Sequence, residues 1–420
     1  MRRLKIFMIV TLMLVLLAML LLTGCSEDEG KTSTVTPIPT ETPTLTVTPP
    51  PEPARIPTPT AVPSPQPAET PVPTEVTVTD LAGREVTVKY PVEKVVLGSA
   101  RYLHEFAAVG GEEVLDKIVG WGTDLEKYDK DTLEKYVEAF PELTNMPDVG
   151  YSSTRSVEKI ISLQPDVAVF PFWSAENEGL LADIDKLDKA GIPSVFLDYW
   201  SEPYEHPVPS TLLIGTLLGE EERAREIIDY YQQQLDIVTD RLLEIGKQKP
   251  EVYVEVGSKG PSTCGNTYGN SGLGAVVVRA GGTNIAEDGM GLVEGTKQIN
   301  QEFLIDANPE VILISGSKWE NPESMQLGYY ATVENSRARL AAFTERTGWD
   351  TLDAVNNGRV HSSFHGFSFR IFNFVGVQAF AKWFYPEEFA DLDPEANFKE
   401  FHEKFLPVDF SGVWTISVTE

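Results

Sequence analysis

From Glu75 onward, short β-branched runs alternate with stretches in which apolar residues recur every three to four positions. A period of two marks half-buried strands, and a period near 3.6 marks amphipathic helices. The runs predict strands at 75–78, 85–88, 94–97, 117–119, 166–170 and 194–197, with helices at 155–163 and 176–190 among them. Gly191-Ile192-Pro193 stops the second of these helices. Such alternation predicts a parallel sheet covered by helices.

A different pattern follows. Between Ser210 and Lys247 there is no proline, and Leu213, Leu217, Ala224, Ile227, Ile228, Tyr231, Leu235, Val238 and Leu242 recur at helical spacing. This predicts one helix, bent near Gly219 and on the order of 55 Å long at 1.5 Å per residue. A helix of that length between two αβ halves serves as a strut. Beyond it, strands at 251–256, 311–315 and 359–362 and helices at 273–280, 300–307, 336–343 and 372–384 resume. The predicted fold class is therefore α/β: two αβ lobes with mainly parallel central sheets, at 76–206 and 250–420, joined by one long α-helix at 207–249.

The two halves also echo one another, since residues 156–170 align without a gap on 300–314. Each segment opens on a helix-capping residue, Ser156 or Asn300, and carries a glutamate two positions on, Glu158 or Glu302. Each helix then meets a proline, Pro165 or Pro309, and gives way to an apolar strand.

Composition changes the picture at the N-terminus. Arg2, Arg3 and Lys5 precede an uncharged run from Ile6 to Leu22, the pattern of an export signal. Leu22-Thr23-Gly24-Cys25 resembles the lipobox of lipoproteins, which makes 1–25 a signal peptide and Cys25 the lipidated residue. An uncleaved anchor is the alternative, because the run approaches the ~20 residues that span a bilayer. Either way the chain is tethered to the cell membrane on its extracytoplasmic face. Residues 26–75 read as a Thr/Pro-rich stalk, with 14 of the 30 prolines lying between Lys31 and Thr74. Extended at ~3.1 Å per residue, it reaches on the order of 130 Å. With Cys25 lipidated, Cys264 is the remaining cysteine, so an intrachain disulfide is not available. The net charge of −29 argues against nucleic acid or an anionic membrane surface as a partner, and solvated acidic surface accounts for it.

The motifs resemble one family. Asp80-Leu81-Ala82-Gly83-Arg84, the 156–169 helix-strand unit, Ala190-Gly191-Ile192-Pro193, Ala280-Gly281-Gly282-Thr283-Asn284 and the tail from Phe401 to Trp414 are similar to substrate-binding proteins of ABC importers for ferric siderophores, cobalamin and haem, the class III periplasmic binding proteins. The resemblance covers residues 76–418 and does not fix the ligand. It implies a ligand cleft between the lobes, a monomer without a cofactor of its own, and an ABC permease dimer with its cytoplasmic ATPase as partner. The cargo it implies is a small-molecule metal chelate, a ferric siderophore first and a corrinoid or haem next. A bare oxyanion or metal ion, such as molybdate or tungstate, is the alternative. It also places permease docking on Glu158 and Glu302, one per lobe.

Ligands of such sheets sit beyond the C-terminal strand ends. The residues there predict a cleft lined by Arg101, Tyr102, Trp121, Tyr151, Trp173, Tyr199 and Trp200 on one side. Asn266, Tyr268, Trp319, His365, Phe367 and Arg370 line the other. Aromatic rings suit a large, flat or greasy chelate, and Arg101, Arg155 and Arg370 offer charge to an anionic one. His104 and His365 fall in these loops as candidate metal ligands, but no HxH, HxxxH or CxxC spacing supports them. An enzyme is disfavoured, since neither a G-x-S-x-G elbow nor a phosphate-binding glycine loop is present. A stalked adhesion protein would not account for the strand-end aromatics.

Overall fold

The computed structural model describes residues 74–292 and 295–419. The predicted signal peptide, Cys25 and the stalk up to residue 73 lie outside the described residues.

The chain enters through a hairpin of β1 (Glu75–Thr79) and β2 (Glu85–Lys89), whose valines alternate with threonines and turn one face inward. Asp80 organises its turn: Oδ1 accepts from the amides of Ala82 and Arg84 at 3.0 Å, and Oδ2 pairs with Arg84 at 2.7 Å. The N-lobe sheet follows, built from β3 (Val95–Leu97), β4 (Ile118–Trp121), β5 (Val167–Pro171) and β6 (Ser194–Leu197) in the order β4-β3-β5-β6, all parallel. Strands β3, β5 and β6 are buried along their whole length, as expected of apolar runs covered on both faces. The covering helices are α1 (Leu103–Gly110), α2 (Asp124–Tyr128), α3 (Lys130–Ala139), α4 (Val157–Leu163) and α5 (Glu178–Lys189). Because β4 lies on one side of β3 and β5 on the other, the loops after β3 and β5 diverge and leave a crevice between them.

The stretch predicted as a single helix is two: α6 (Pro207–Leu218) and α7 (Glu221–Glu244). Gly219 lies between them at φ +76°, a left-handed conformation that a glycine adopts without a Cβ penalty. The helices cross closely at Gly215, where a Cβ would stand 2.6 Å from that of Ala224. Helix α6 belongs to the N-lobe and packs on α1, so the strut is α7 alone, about 36 Å long at 1.5 Å per residue.

The C-lobe holds β7 (Glu251–Val256), β8 (Asn266–Tyr268), β9 (Thr283–Asn284), β10 (Thr296–Gln298), β11 (Val311–Gly316), β12 (Val360–Phe364) and β13 (Thr415–Ser417). Its sheet runs β13-β12-β11-β7-β9 and is parallel except for the edge strand β13, while β8 and β10 form a separate antiparallel pair. Helices α8 (Leu273–Arg279), α9 (Gln301–Ala307), α10 (Val333–Thr344), α11 (Phe374–Phe384) and α12 (Pro394–Phe405) pack around it. Helix α7 ties the lobes together through polar contacts. Arg223 donates from Nε to the Ala108 carbonyl of α1 at 2.7 Å and from Nη2 to the Phe405 carbonyl of α12 at 3.2 Å. Gln378 of α11 donates to Gln234 Oε1 at 2.8 Å.

The internal echo is structural as well. Helices α4 and α9 are both seven residues long, and their caps Ser156 and Asn300 accept from backbone amides at 3.3 and 3.0 Å. Both end on a left-handed residue, Gln164 at φ +49° or Asn308 at φ +42°, immediately before the proline. Each then feeds a fully buried strand, β5 or β11.

Candidate functional site

On the N-lobe side, the chain leaves β3 through Gly98, where a Cβ would lie 2.4 Å from the Phe170 ring. This brings Ser99, Ala100 and Arg101 around the buried carboxylate of Asp124 at the start of α2. Ser99 Oγ and Arg101 Nε donate to its Oδ2, the latter at 3.0 Å, and the Ala100 amide donates to its Oδ1 at 2.8 Å. Burial is the largest single influence and weighs against the Arg101 charge, but Asp124 together with Tyr151 and Tyr102 raises the guanidinium pKa on balance. The Arg101 Nη2 donates to the Tyr151 hydroxyl at 3.3 Å. Tyr151 stands edge-on to Trp173, with ring centroids 6.2 Å apart, and Trp173 is 40% exposed. After β6, Asp198 fixes the next loop by accepting from the amides of Trp200, Ser201 and Glu202 at 3.0, 2.9 and 3.2 Å and from His206 Nδ1 at 2.7 Å. Trp200 lies against Gly272 of the other lobe, where a Cβ would stand 3.2 Å from its indole nitrogen.

The C-lobe contributes the turn after β12. His365 is bonded through Nδ1 to Ser315 Oγ at 3.1 Å and is surrounded by Tyr268, Trp319 and Phe369, at centroid distances of 6.3, 5.4 and 5.4 Å. Burial first, then Arg101 and Arg370, lower its pKa to about 3, so the imidazole is neutral. Two guanidiniums lie over the Phe369 ring, with the Arg101 carbon 5.1 Å and the Arg370 carbon 4.9 Å from its centroid. Arg370 crosses the seam between the lobes, donating from Nη2 to Asp129 Oδ2 at 3.0 Å with both side chains almost fully buried.

The lobes are closed on one another here. Ser99, Arg101, Tyr102, Trp173, Tyr199, Trp200, Phe369 and Arg370 enclose 20 Å³, room for about one water. Beside it an N-lobe basin of 460 Å³ is walled by Tyr151, Ser153, Arg155, Trp173 and Asn177. A groove of 530 Å³ lies elsewhere, between the end of α7 and α8. It carries Arg279 over the Tyr204 ring at 5.5 Å and shares no lining residue with the strand-end cavity.

Of the residues predicted to line the cleft, Arg101, Tyr102, Trp173, Tyr199, Trp200 and Arg370 meet around the cavity, Tyr151 walls the basin, and Tyr268, Trp319 and His365 cluster at its C-lobe side. Tyr102 and Tyr199 are buried, with their hydroxyls on the Leu197 carbonyl and Thr211 Oγ1, so they form its floor. Phe367 is a correction: it is fully buried in the C-lobe core against Phe364, Phe372 and Phe398. Trp121 is another, turned to a separate outer hollow with Leu133 and Val137. Asn266 pairs with Gln298 in the β8-β10 ribbon and is not part of the cavity wall. His104 is a core residue, buried between Tyr136 and Thr132, rather than a metal ligand. Among the described residues no group of three or more His, Cys, Asp or Glu converges to hold a metal ion. Arg101 and Arg370, expected to offer charge to an anionic ligand, are each paired, with Asp124 and Asp129, and Arg155 forms the ion pair that was its alternative reading, with Asp183. The anchoring aspartates Asp124, Asp129 and Asp198 and Phe369 were not among the predicted site residues. Strand-end position pointed to Phe369, but nothing in the spacing marks an aspartate as buried.

Residues 95–362 match the family described as periplasmic binding protein. The chain belongs to this family. Among solved structures, the TroA-like periplasmic binding protein FepB from Veillonella parvula is 39% identical, covers 81% of this chain and 99% of its own, and superposes with a TM-score of 0.76. The molybdate-binding protein MolA of Haemophilus influenzae is 20% identical over 79% of this chain and 91% of its own. The periplasmic heme-binding protein RhuT from Roseiflexus sp. RS-1 shares the fold, at 18% identity, covering 70% of this chain and 99% of its own with a TM-score of 0.51. As a class III periplasmic binding protein, the chain is an extracytoplasmic, non-enzymatic solute-binding component of an ABC importer, holding a small molecule for a cognate permease.

Proposed function

We propose that this binding protein captures a metal chelate between its lobes, a ferric siderophore foremost and a corrinoid or haem next. The observation that carries this reading is the arginine-aromatic surface at the strand ends: Phe369 with Arg101 and Arg370 over its ring, continued by Tyr151, Trp173 and Trp200. Rings of this size offer stacking area to a flat, partly apolar ligand, and the guanidiniums offer directed hydrogen bonds to its oxygens. The 460 Å³ basin beside the cavity gives such a ligand room that the closed cavity alone does not. A bare oxyanion is the second reading, favoured by the small enclosed volume and by the likeness to a molybdate-binding protein. The binding protein is tethered through lipidated Cys25 and a Thr/Pro stalk, and it docks on the permease through Glu158 and Glu302, which are both exposed in the first turns of equivalent helices. Native mass spectrometry of protein purified with its cargo tests the reading. A chelate mass with bound iron or cobalt is expected, and molybdate or tungstate alone would replace the first reading by the second.

A further inference from the structure

The charges that line the cleft cancel in pairs. Arg101 is held by the fully buried Asp124 at 3.0 Å, and Arg370 by the equally buried Asp129 at 3.0 Å. Arg155, on the wall of the adjoining basin, is held by Asp183 at 3.0 Å. His365 is neutral. Asp198, the other acid of the cavity wall, is engaged by three backbone amides and His206. No net positive charge is therefore presented by the paired residues of this wall.

A multiply charged anion brought into such a site loses its hydration and meets no countercharge in return. A neutral ligand loses far less. It still finds directed donors, because the guanidiniums keep hydrogen-bonding capacity beyond their carboxylates. Arg101 uses Nε and Nη2 within the protein, and Arg370 Nε is buried without an acceptor among the described residues. Carbonyl or ether oxygens on an uncharged chelate satisfy these donors, while its apolar body lies on Phe369, Trp173 and Trp200.

We propose that the cleft selects cargo by its lack of net charge: the ligand is a metal chelate whose donor groups already neutralise the metal, and Asp124 and Asp129 are the specificity-determining residues. This rests on the interlobe cleft being the solute site. Charge selection follows from the aspartates rather than the arginines, since without its carboxylate each guanidinium would act as an uncompensated cation.

The test compares two ferric chelates of similar size, an uncharged tris-hydroxamate and a trianionic tris-catecholate, with molybdate as a third probe, by calorimetric titration of the full chain. The uncharged chelate is expected to bind at least about tenfold more tightly than either anion, since an anion loses its hydration here and forgoes a countercharge whose attraction, at an effective dielectric near 20, would exceed that factor. Asp124→Asn should narrow the ratio by raising anion affinity. Ser153→Lys adds a positive charge on the exposed wall of the basin without disturbing a buried pair, and it should shift the ratio the same way even if Asp124→Asn does not fold. Equal or tighter binding of the tris-catecholate or of molybdate by the unmodified chain overturns the charge selection and leaves the cleft as a solute site. Failure of all three probes to bind overturns the metal-chelate reading itself, and this inference with it.

Discussion

Glu105 is buried in α1 beside the Arg370 guanidinium, and the two influences on it oppose each other. Burial raises its pKa, Arg370 lowers it, and burial wins, leaving a value of about 7 against an ordinary 4.5. The folded chain then holds a proton that the unfolded chain has lost between roughly pH 4.5 and 7. The contribution of this group to stability falls as pH rises through that window and stays low above it. Glu105→Gln should therefore raise stability at pH 8 by on the order of 1 to 3 kcal/mol and change it little at pH 4.5; paired denaturant titrations at the two pH values would show it. A loss of stability at pH 8 would mean that the ionised carboxylate is a needed partner of Arg370. His361, His365 and His402 act in the opposite sense, with burial lowering their pKa values to about 3, 3 and 4. Below pH 6.5 the unfolded chain takes up the protons they refuse, so their contribution is lost on acidification. Such residues mark the limit of sequence reading. Strand-end position pointed to Arg101, Trp173, Trp200 and Arg370, which meet around the cavity, but the same logic misplaced Phe367 and Trp121, because Trp121 still belongs to strand β4 and Phe367 to the helical turn 365–368, where position after a strand does not set the side a ring faces. That Asp124 and Asp129 cancel the arginines depends on contacts 23 and 241 residues apart in the chain, which no local pattern carries.

At the scale of elements, apolar runs long enough to be buried on both faces were legible: β6 and β7 have the predicted limits. Strands β8, β10 and β13 were not, because Asn266-Thr267-Tyr268, Thr296-Lys297-Gln298 and Thr415-Ile416-Ser417 are short and mostly polar, and their pairing is set by tertiary context. The break between α6 and α7 was legible only as a bend, since one glycine in a helical pattern is equally an internal cost of about 1 kcal/mol. Replacing Gly219 by Ala should destabilise the chain by about 1 kcal/mol, from left-handed strain rather than collision, as its Cβ would meet nothing closer than 3.4 Å. A thermal shift of zero in Gly219→Ala would show that the turn relaxes. The paired units α4-β5 and α9-β11 carry the docking proposal. Glu158→Arg with Glu302→Arg should lower stability by no more than about 1 to 3 kcal/mol, because an exposed first-turn carboxylate gains about 0.3–1 kcal/mol from the helix dipole and the arginine reverses that gain at each site. Cargo-stimulated ATPase activity of the cognate transporter should collapse in the double variant and be intermediate in the single ones. Normal stimulation would reduce the pair to helix-end electrostatics.

For the whole molecule, the lobes meet across a polar seam in which Arg370 pairs with Asp129, Lys318 with Glu134, and the Tyr330 hydroxyl donates to Glu138. The cavity itself measures 20 Å³, and the adjoining basin of 460 Å³, which shares Trp173 with it, offers the room a chelate needs. The pairs are largely exposed apart from the Arg370 one, so most of them cost little to break. We propose that the cargo sits between Trp173 of one loop and the Trp200–Phe369 wall, and intrinsic tryptophan fluorescence reads that place directly. Titrating the full chain with an uncharged ferric chelate should give saturable quenching at one site. Replacing both rings, Trp173→Ala with Trp200→Ala, should weaken binding by at least about tenfold, as expected when each stacked ring contributes 1–3 kcal/mol. Saturable binding of unchanged affinity in the double variant would contradict the account and place the ligand outside the cleft.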